Sequence, residues 1–146
     1  CIRDRSSIPV DIFERDKNRC QYLSDDMLEV LAHMRDLNEH ALLGVADVDL
    51  YAPSLNFVFG QADPNGLVAV ISIARLRPSF YGMQDDDRVL LVRAGKEAVH
   101  ELGHLFRLRH CVNPRCVMFF SNSLADTDLK EDEFCDRCKR SLVASL

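Results

Sequence analysis

Residues 100–111 read HELGHLFRLRHC, and the spacing of three histidines within this run decides how the chain is organised. On a helix, residues four apart share a face, so His100 and His104 can aim two imidazoles at one metal ion. Glu101 sits beside that face, where a carboxylate can take a proton from water on the metal. His110 supplies a third protein ligand and leaves the fourth position of a tetrahedral zinc open. That is the pattern of a catalytic rather than a structural ion. The plain alternative is a helix that carries two exposed histidines by chance, and the third histidine makes that coincidence rare.

A second cluster begins one residue later. Cys111 and Cys116 are spaced C-x4-C, Cys135 and Cys138 are spaced C-x2-C, and 18 residues separate the two pairs. Two close pairs joined by a loop suit a tetrahedral four-thiolate zinc, each pair giving two sulfurs. Two disulfides in a secreted chain, or a redox pair, are the alternatives. C-x2-C is far commoner as a metal or redox element, and no signal-peptide pattern is present. Cys1 and Cys20 have no spacing signature and are expected to be free thiols.

Working outward, the acidic stretch Asp85–Asp87 opens a long helix from about Asp86 to Phe106 that ends in the histidine run. Val89, Val92, Val99, Leu102 and Phe106 give it a wide apolar arc, so it is expected to be central and mostly buried. Upstream, Leu67–Ala74 (LVAVISIA) reads as a nearly continuous buried strand after the turn Asp63-Pro64-Asn65-Gly66. Asn56–Gly60 and Ala41–Val48 are further strand candidates. Ser24 reads as the N-cap of a helix to about Leu37, with an apolar stripe of Met27, Leu28, Leu31 and Met34. Ile8–Phe13 reads as extended, residues 14–22 as loop, and a short helix is expected from about Cys138.

Strands alternating with helices imply an α/β fold, a mixed sheet packed on the long helix with a loop-rich, Cys-stapled C-terminal part. At 146 residues the chain is expected to form one domain, with residues 111–138 an integral part of it. A net charge of −5 argues against nucleic acid as the main partner. No apolar run approaches the roughly 18 residues needed to span a membrane. Four cysteines committed to a metal pattern fit a reducing cytoplasm.

The string HELGHLFRLRHC, with Cys116, Met118 and the C-x2-C pair, resembles the archaemetzincin family of zinc peptidases. Their pattern is HExxHxxGxxH-C-x4-C-x-M followed by C-x2-C, and every ligand position is present here. FSNSLADTD, LNFVFG and VAVISIARLRPSFYG extend the likeness from about Leu55 onward, and more weakly from Ile8. The resemblance implies two zinc ions, one catalytic on His100, His104 and His110, one structural on Cys111, Cys116, Cys135 and Cys138. It implies Glu101 as general base for zinc-bound water attacking a peptide bond, and Met118 as an apolar floor beneath the histidines. It implies a twisted sheet whose antiparallel edge strand binds a peptide or protein substrate, a role that falls near Gly66–Ala74. A strand and helix would precede the segment that starts at Ile8, so the chain is expected to be the larger, C-terminal part of such a protein.

One position departs from the pattern, because Arg107 stands where the family has Gly. A continuing helix would carry His110 about 9 Å beyond His104 and onto another face, so the chain must turn back. A left-handed residue does this, and Arg in that conformation costs about 1–2 kcal/mol. The same arginine motivates another reading, a zinc-stabilised binding protein whose peptidase site is inactive or blocked. A thermolysin-like site with Glu131 or Glu133 as third ligand is a further alternative.

Overall fold

The structure is a computed structural model that describes residues 7–145. In chain order its strands and α-helices are β1 (Arg15–Asp16), β2 (Gln21–Leu23), α1 (Ser24–Met34), β3 (Leu42–Ala46), β4 (Leu50–Tyr51), β5 (Gly60–Asp63), β6 (Val68–Ser72), α2 (Asp87–Leu105), α3 (Leu124–Leu129) and α4 (Asp136–Ser145). Short 3-10 turns at Val10–Ile12, Ala74–Leu76 and Pro78–Tyr81 join them.

The main sheet has the order β3-β6-β5, with β6 parallel to β3 and antiparallel to β5. All five residues of β6 are buried, which accounts for its nearly continuous apolar run, and the one polar side chain, Ser72, donates to the Val48 carbonyl. Val68 and Val70 pack with Met27, Leu28 and Leu31 of α1. Ile71 pairs across the ladder with Gly60, and a Cβ on Gly60 would meet Glu101 of α2. The sheet therefore lies between the two helices, α1 on one face and α2 on the other. A second small sheet, β1-β2-β4, flanks it.

Asp86 caps α2 by accepting from the backbone N–H groups of Arg88 and Val89 at 2.8 and 3.2 Å. Only part of the expected apolar arc is covered: Val99 packs against the core cluster around Cys111 and Met118, and Val89 and Leu102 are half-buried. Arg93, Glu97, His100, Glu101, Gly103 and Leu105 are buried, while Val92 is 57% and Phe106 44% exposed. The inward charges are matched from α3. Arg93 forms a two-pronged bond to Asp128 at 2.7 and 2.8 Å and donates to the Leu76 carbonyl. Lys130, which is fully buried, lies 3.1 Å from Glu97.

Other differences are local. The expected edge at Gly66–Ala74 is the central strand β6, and the antiparallel edge is β5, four residues later than the strand placed at Asn56–Gly60. The reason is the hairpin turn: Asn65 N–H bonds Asp63 Oδ1 at 2.9 Å, so the strand preceding the turn must run up to Asp63. Ile8–Phe13 holds a 3-10 turn, and residues 14–22 contain β1 and part of β2. α1 stops at Met34, where Arg35 turns extended and its guanidinium bonds the carbonyls of Gly66 and Glu39. Ser24 is the first helical residue rather than the cap, and its hydroxyl bonds the Tyr51 carbonyl and Gln61. α4 begins at Asp136, two residues before Cys138. Cys20 is an exposed free thiol, whereas Cys1 lies outside the described residues. Among the described residues no helix is long and apolar enough to cross a membrane.

Candidate active site

The last two turns of α2 carry His100, Glu101 and His104, and the helix must then reverse for His110 to reach them. It does so through a left-handed residue, Arg107, with φ 61°. Arg107 N–H bonds the His104 carbonyl at 2.8 Å and Leu108 N–H bonds the Gly103 carbonyl at 3.1 Å. This bond pair is the Schellman termination, which glycine usually supplies. Arg107 therefore makes the turn expected of the family glycine, at the backbone cost foreseen for a side chain there.

The reversal brings the three rings together. His104 Nε2 lies 3.2 Å from both His100 Nε2 and His110 Nε2. His100 Nδ1 faces the Val117 carbonyl at 2.7 Å and His104 Nδ1 the Leu108 carbonyl at 2.8 Å. A carbonyl only accepts, so each Nδ1 carries the proton and each Nε2 presents a lone pair. Converging lone pairs repel one another unless a cation sits between them. Zinc at about 2.0–2.1 Å from tetrahedral nitrogens would set them about 3.3 Å apart, so spacing and chemistry both fit the ion. Without metal, burial and then the Lys130 charge hold the His100 ring at about 3, and burial also lowers His104 and His110.

Glu101 is buried beside the cluster, and burial, then repulsion from Glu97, raise its carboxyl to about 8. A Cβ on Gly60 would lie 2.7 Å from Glu101 Cγ, so only glycine lets the β5 backbone close over this side chain. The cleft above, about 640 Å³, is lined by Gly60, Gln61 and Ala62 of β5, by Phe120, and by Arg107 and Arg109. Phe120 packs against the His110 ring at 4.8 Å between centroids.

The four cysteines gather behind this floor, their sulfurs all within 4.8 Å of one another. Cys111 Sγ and Cys135 Sγ are 3.8 Å apart. Tetrahedral zinc with Zn–S bonds of about 2.3 Å requires about 3.8 Å, whereas a disulfide requires about 2.05 Å. Backbone N–H groups of Asn113 and Cys135 reach Cys111 and Cys116 sulfurs, and Arg137 reaches Cys111 at 3.4 Å, donors suited to thiolates. A backbone N–H from Cys138 lowers the Cys135 thiol to about 7, while burial raises Cys116 and Cys138. The loop between the clusters is common to both: Cys111 N–H bonds the Met118 carbonyl at 2.8 Å, and Val117, which holds His100, bonds Glu133. Met118 is fully buried, with its sulfur against Gly103 of α2, where no Cβ would fit.

Glu131 and Glu133 lie outside the histidine cluster, paired with Arg115 and Lys139. Sequence reasoning missed Glu97, Thr127 and Lys130, which form a buried network behind Glu101. Thr127 Oγ1 donates to Glu97 Oε1 at 2.8 Å, and the Lys130 ammonium sits 3.1 Å from the same oxygen, outside hydrogen-bond geometry. Glu97 precedes Glu101 by one helical turn, so its facing inward was readable from spacing. Nothing in the stretch around Lys130 marks it as buried.

Residues 7–144 match Peptidase family M54. Archaemetzincin from Pyrococcus abyssi is 52% identical over 132 residues, covering 90% of this chain and 70% of that protein. The crystal structure of archaemetzincin from Methanopyrus kandleri superposes with a TM-score of 0.82 at 42% identity, over 97% of this chain and 73% of that one. A zinc-dependent peptidase from Methanocorpusculum labreanum gives a TM-score of 0.83 at 34% identity, over 95% of this chain and 82% of that one. With the histidine cluster, the cysteine cluster and the mixed sheet already in place, these likenesses mean that the chain belongs to peptidase family M54, the archaemetzincins, and is a zinc metallopeptidase.

Proposed function

We propose that His100, His104 and His110 hold the catalytic zinc through their Nε2 atoms, that Cys111, Cys116, Cys135 and Cys138 hold a second, structural zinc, and that Glu101 is the general base. Zinc in the histidine site supplies Lewis acidity, acidifying water and polarising a peptide carbonyl. Glu101 accepts the proton of the attacking water and returns it to the leaving amine. A buried carboxyl whose proton affinity is raised toward neutrality is suited to both transfers. The observation that carries this reading is the convergence of three Nε2 atoms beside Glu101 at the floor of one cleft, with the Nδ1 atoms of His100 and His104 turned to backbone carbonyls.

The peptide lies along β5, whose outer edge has no partner among the described residues and whose unpaired backbone groups accept an extended chain. The cysteine site does no chemistry. It pins the loop that orients His100 through Val117 and seats Met118 under α2, so residues 111–138 work as part of a single catalytic domain. Cysteines grouped for zinc rather than paired in disulfides, an exposed thiol at Cys20 and a net charge of −5 fit a cytoplasmic enzyme acting on peptides or proteins rather than on nucleic acid or a membrane.

Elemental analysis should return two zinc ions per chain, the histidine-bound one lost first to a chelator because it has an open position and no thiolates. Glu101→Gln should retain both ions and its melting temperature but lose peptide hydrolysis, since an amide cannot take the water's proton. One ion per chain, with Cys111 and Cys138 freely alkylated, would remove the structural site. Hydrolysis at the parent rate by Glu101→Gln would remove the general base.

A further inference from the structure

Two arginines from a single turn, Arg107 and Arg109, are among the residues that line the cleft over the histidines, and both are exposed. Arg75, Arg77, Arg93 and Arg115 are each paired with Asp or Glu, whereas Arg19 and Arg35 bond backbone carbonyls and Arg137 bonds a cysteine sulfur. What sets Arg107 and Arg109 apart is therefore their place on the cleft wall rather than the lack of a carboxylate. Arg107 Nη2 meets only a neutral acceptor, Asn65 Oδ1 at 3.3 Å, and Arg109 has no ion-pair or hydrogen-bond partner among the described residues. The one carboxylate among the residues lining the cleft is Glu101, buried at its floor. The wall is thus locally positive on a chain whose net charge is −5.

We propose that Arg107 and Arg109 form a carboxylate-recognising subsite, so that the enzyme prefers peptides with a carboxylate a few residues from the bond it cuts. This rests on the cleft reading above. A guanidinium presents a planar fork of N–H donors that matches a carboxylate and not a neutral amide. Placement sets the spacing. Glu101 lies against Gly60 at one end of β5, and Arg107 reaches Asn65 just past the other end at Asp63. Three residues of strand advance about 10 Å. A peptide extended along β5 with its scissile bond over Glu101 therefore brings a residue two to four positions away beside Arg107. The carboxylate comes either from an Asp or Glu side chain or from the peptide's own C-terminus.

The test uses the zinc-loaded protein and internally quenched peptides of one neutral sequence. A single Glu is moved along the sequence and compared with Gln at each position, all C-termini being amidated. A separate pair compares the all-neutral peptide as free acid and as amide. The expected result is a kcat/KM about tenfold higher for Glu than for Gln at one position, or for free acid over amide if the terminus is the source. Arg107→Gln and Arg109→Gln should each shrink that ratio, and the double variant should bring it to about one. Fluorescence anisotropy of the same labelled peptides on the Glu101→Gln protein gives a readout independent of turnover and should rank them in the same order. Equal rates for both members of every pair, or a ratio untouched in the double variant, would overturn the proposal while leaving the peptidase reading intact. If nothing is cleaved, the anisotropy ranking alone decides: a preference lost in the double variant supports the subsite, and no preference overturns it.

Discussion

Arg107 holds a left-handed backbone at the position where glycine is the ordinary choice, and it makes the complete Schellman bond pair. The left-handed region costs a side chain about 1–2 kcal/mol, and glycine gives back under about 1 kcal/mol through its freer unfolded state. Arg107→Gly should therefore raise the melting temperature slightly, by a few degrees at most. A clear fall in a calorimetric scan would mean that the Asn65 contact outweighs the strain. Gly103 has the opposite requirement, because any Cβ there collides with the Met118 sulfur. Gly103→Ala should cost about 1–3 kcal/mol by overpacking and should speed zinc loss from the histidine site, read by chelator competition. An unchanged unfolding midpoint would show that Met118 has room to move.

Between elements, α2 and α3 are joined by charge rather than by oil. Lys130 and Glu97 are both almost completely buried, at 0% and 3% side-chain exposure, and Thr127 bonds the same carboxylate. Removing one member of such a pair leaves the other uncompensated. Lys130→Met should thus destabilise by about 3–5 kcal/mol in urea unfolding, and Glu97→Leu combined with it should recover most of the loss. A single variant costing less than about 1 kcal/mol would mean that water reaches the pair. The apolar arc expected on α2 is only partly covered for a related reason. Hydrophobic spacing finds the face a helix would bury alone, but here a partner helix offered counter-charges to the other face, so Val92 and Phe106 stayed outside.

For the whole molecule, proton linkage and zinc act together. In the metal-free protein the histidine rings titrate below their ordinary 6.5, His100 at about 3. The folded state then binds fewer protons than the unfolded one. Their stabilisation is full above pH 6.5 and is lost as pH falls toward 3. Glu101 has the opposite sign: its carboxyl, raised to about 8 from 4.5, contributes stability below pH 4.5 that is lost as pH rises toward 8. Chelator-stripped protein should accordingly lose stability on acidification below pH 6.5, with the Glu101 contribution offsetting part of that loss down to pH 4.5. Its stability relative to Glu101→Gln should decline between pH 4.5 and 8, since glutamine does not titrate. Parallel stability curves for parent and variant would show that Glu101 is solvated.

What the sequence determined by itself was everything carried by spacing along one chain: His100 and His104 one turn apart, the need for a reversal before His110, the paired cysteines, and β6 within a nearly continuous apolar run. Periodicity and ligand spacing are local properties, so they survive without knowledge of neighbours. Only the tertiary structure decided which strand is the free edge, because edge status depends on who pairs with whom; the antiparallel edge proved to be β5, with Gly60 against Glu101. It also decided that Lys130 is buried behind Glu101 and that Arg107 and Arg109 line one cleft. Each of these depends on residues distant in the chain, and no local pattern encodes the low-dielectric surroundings that distant residues create.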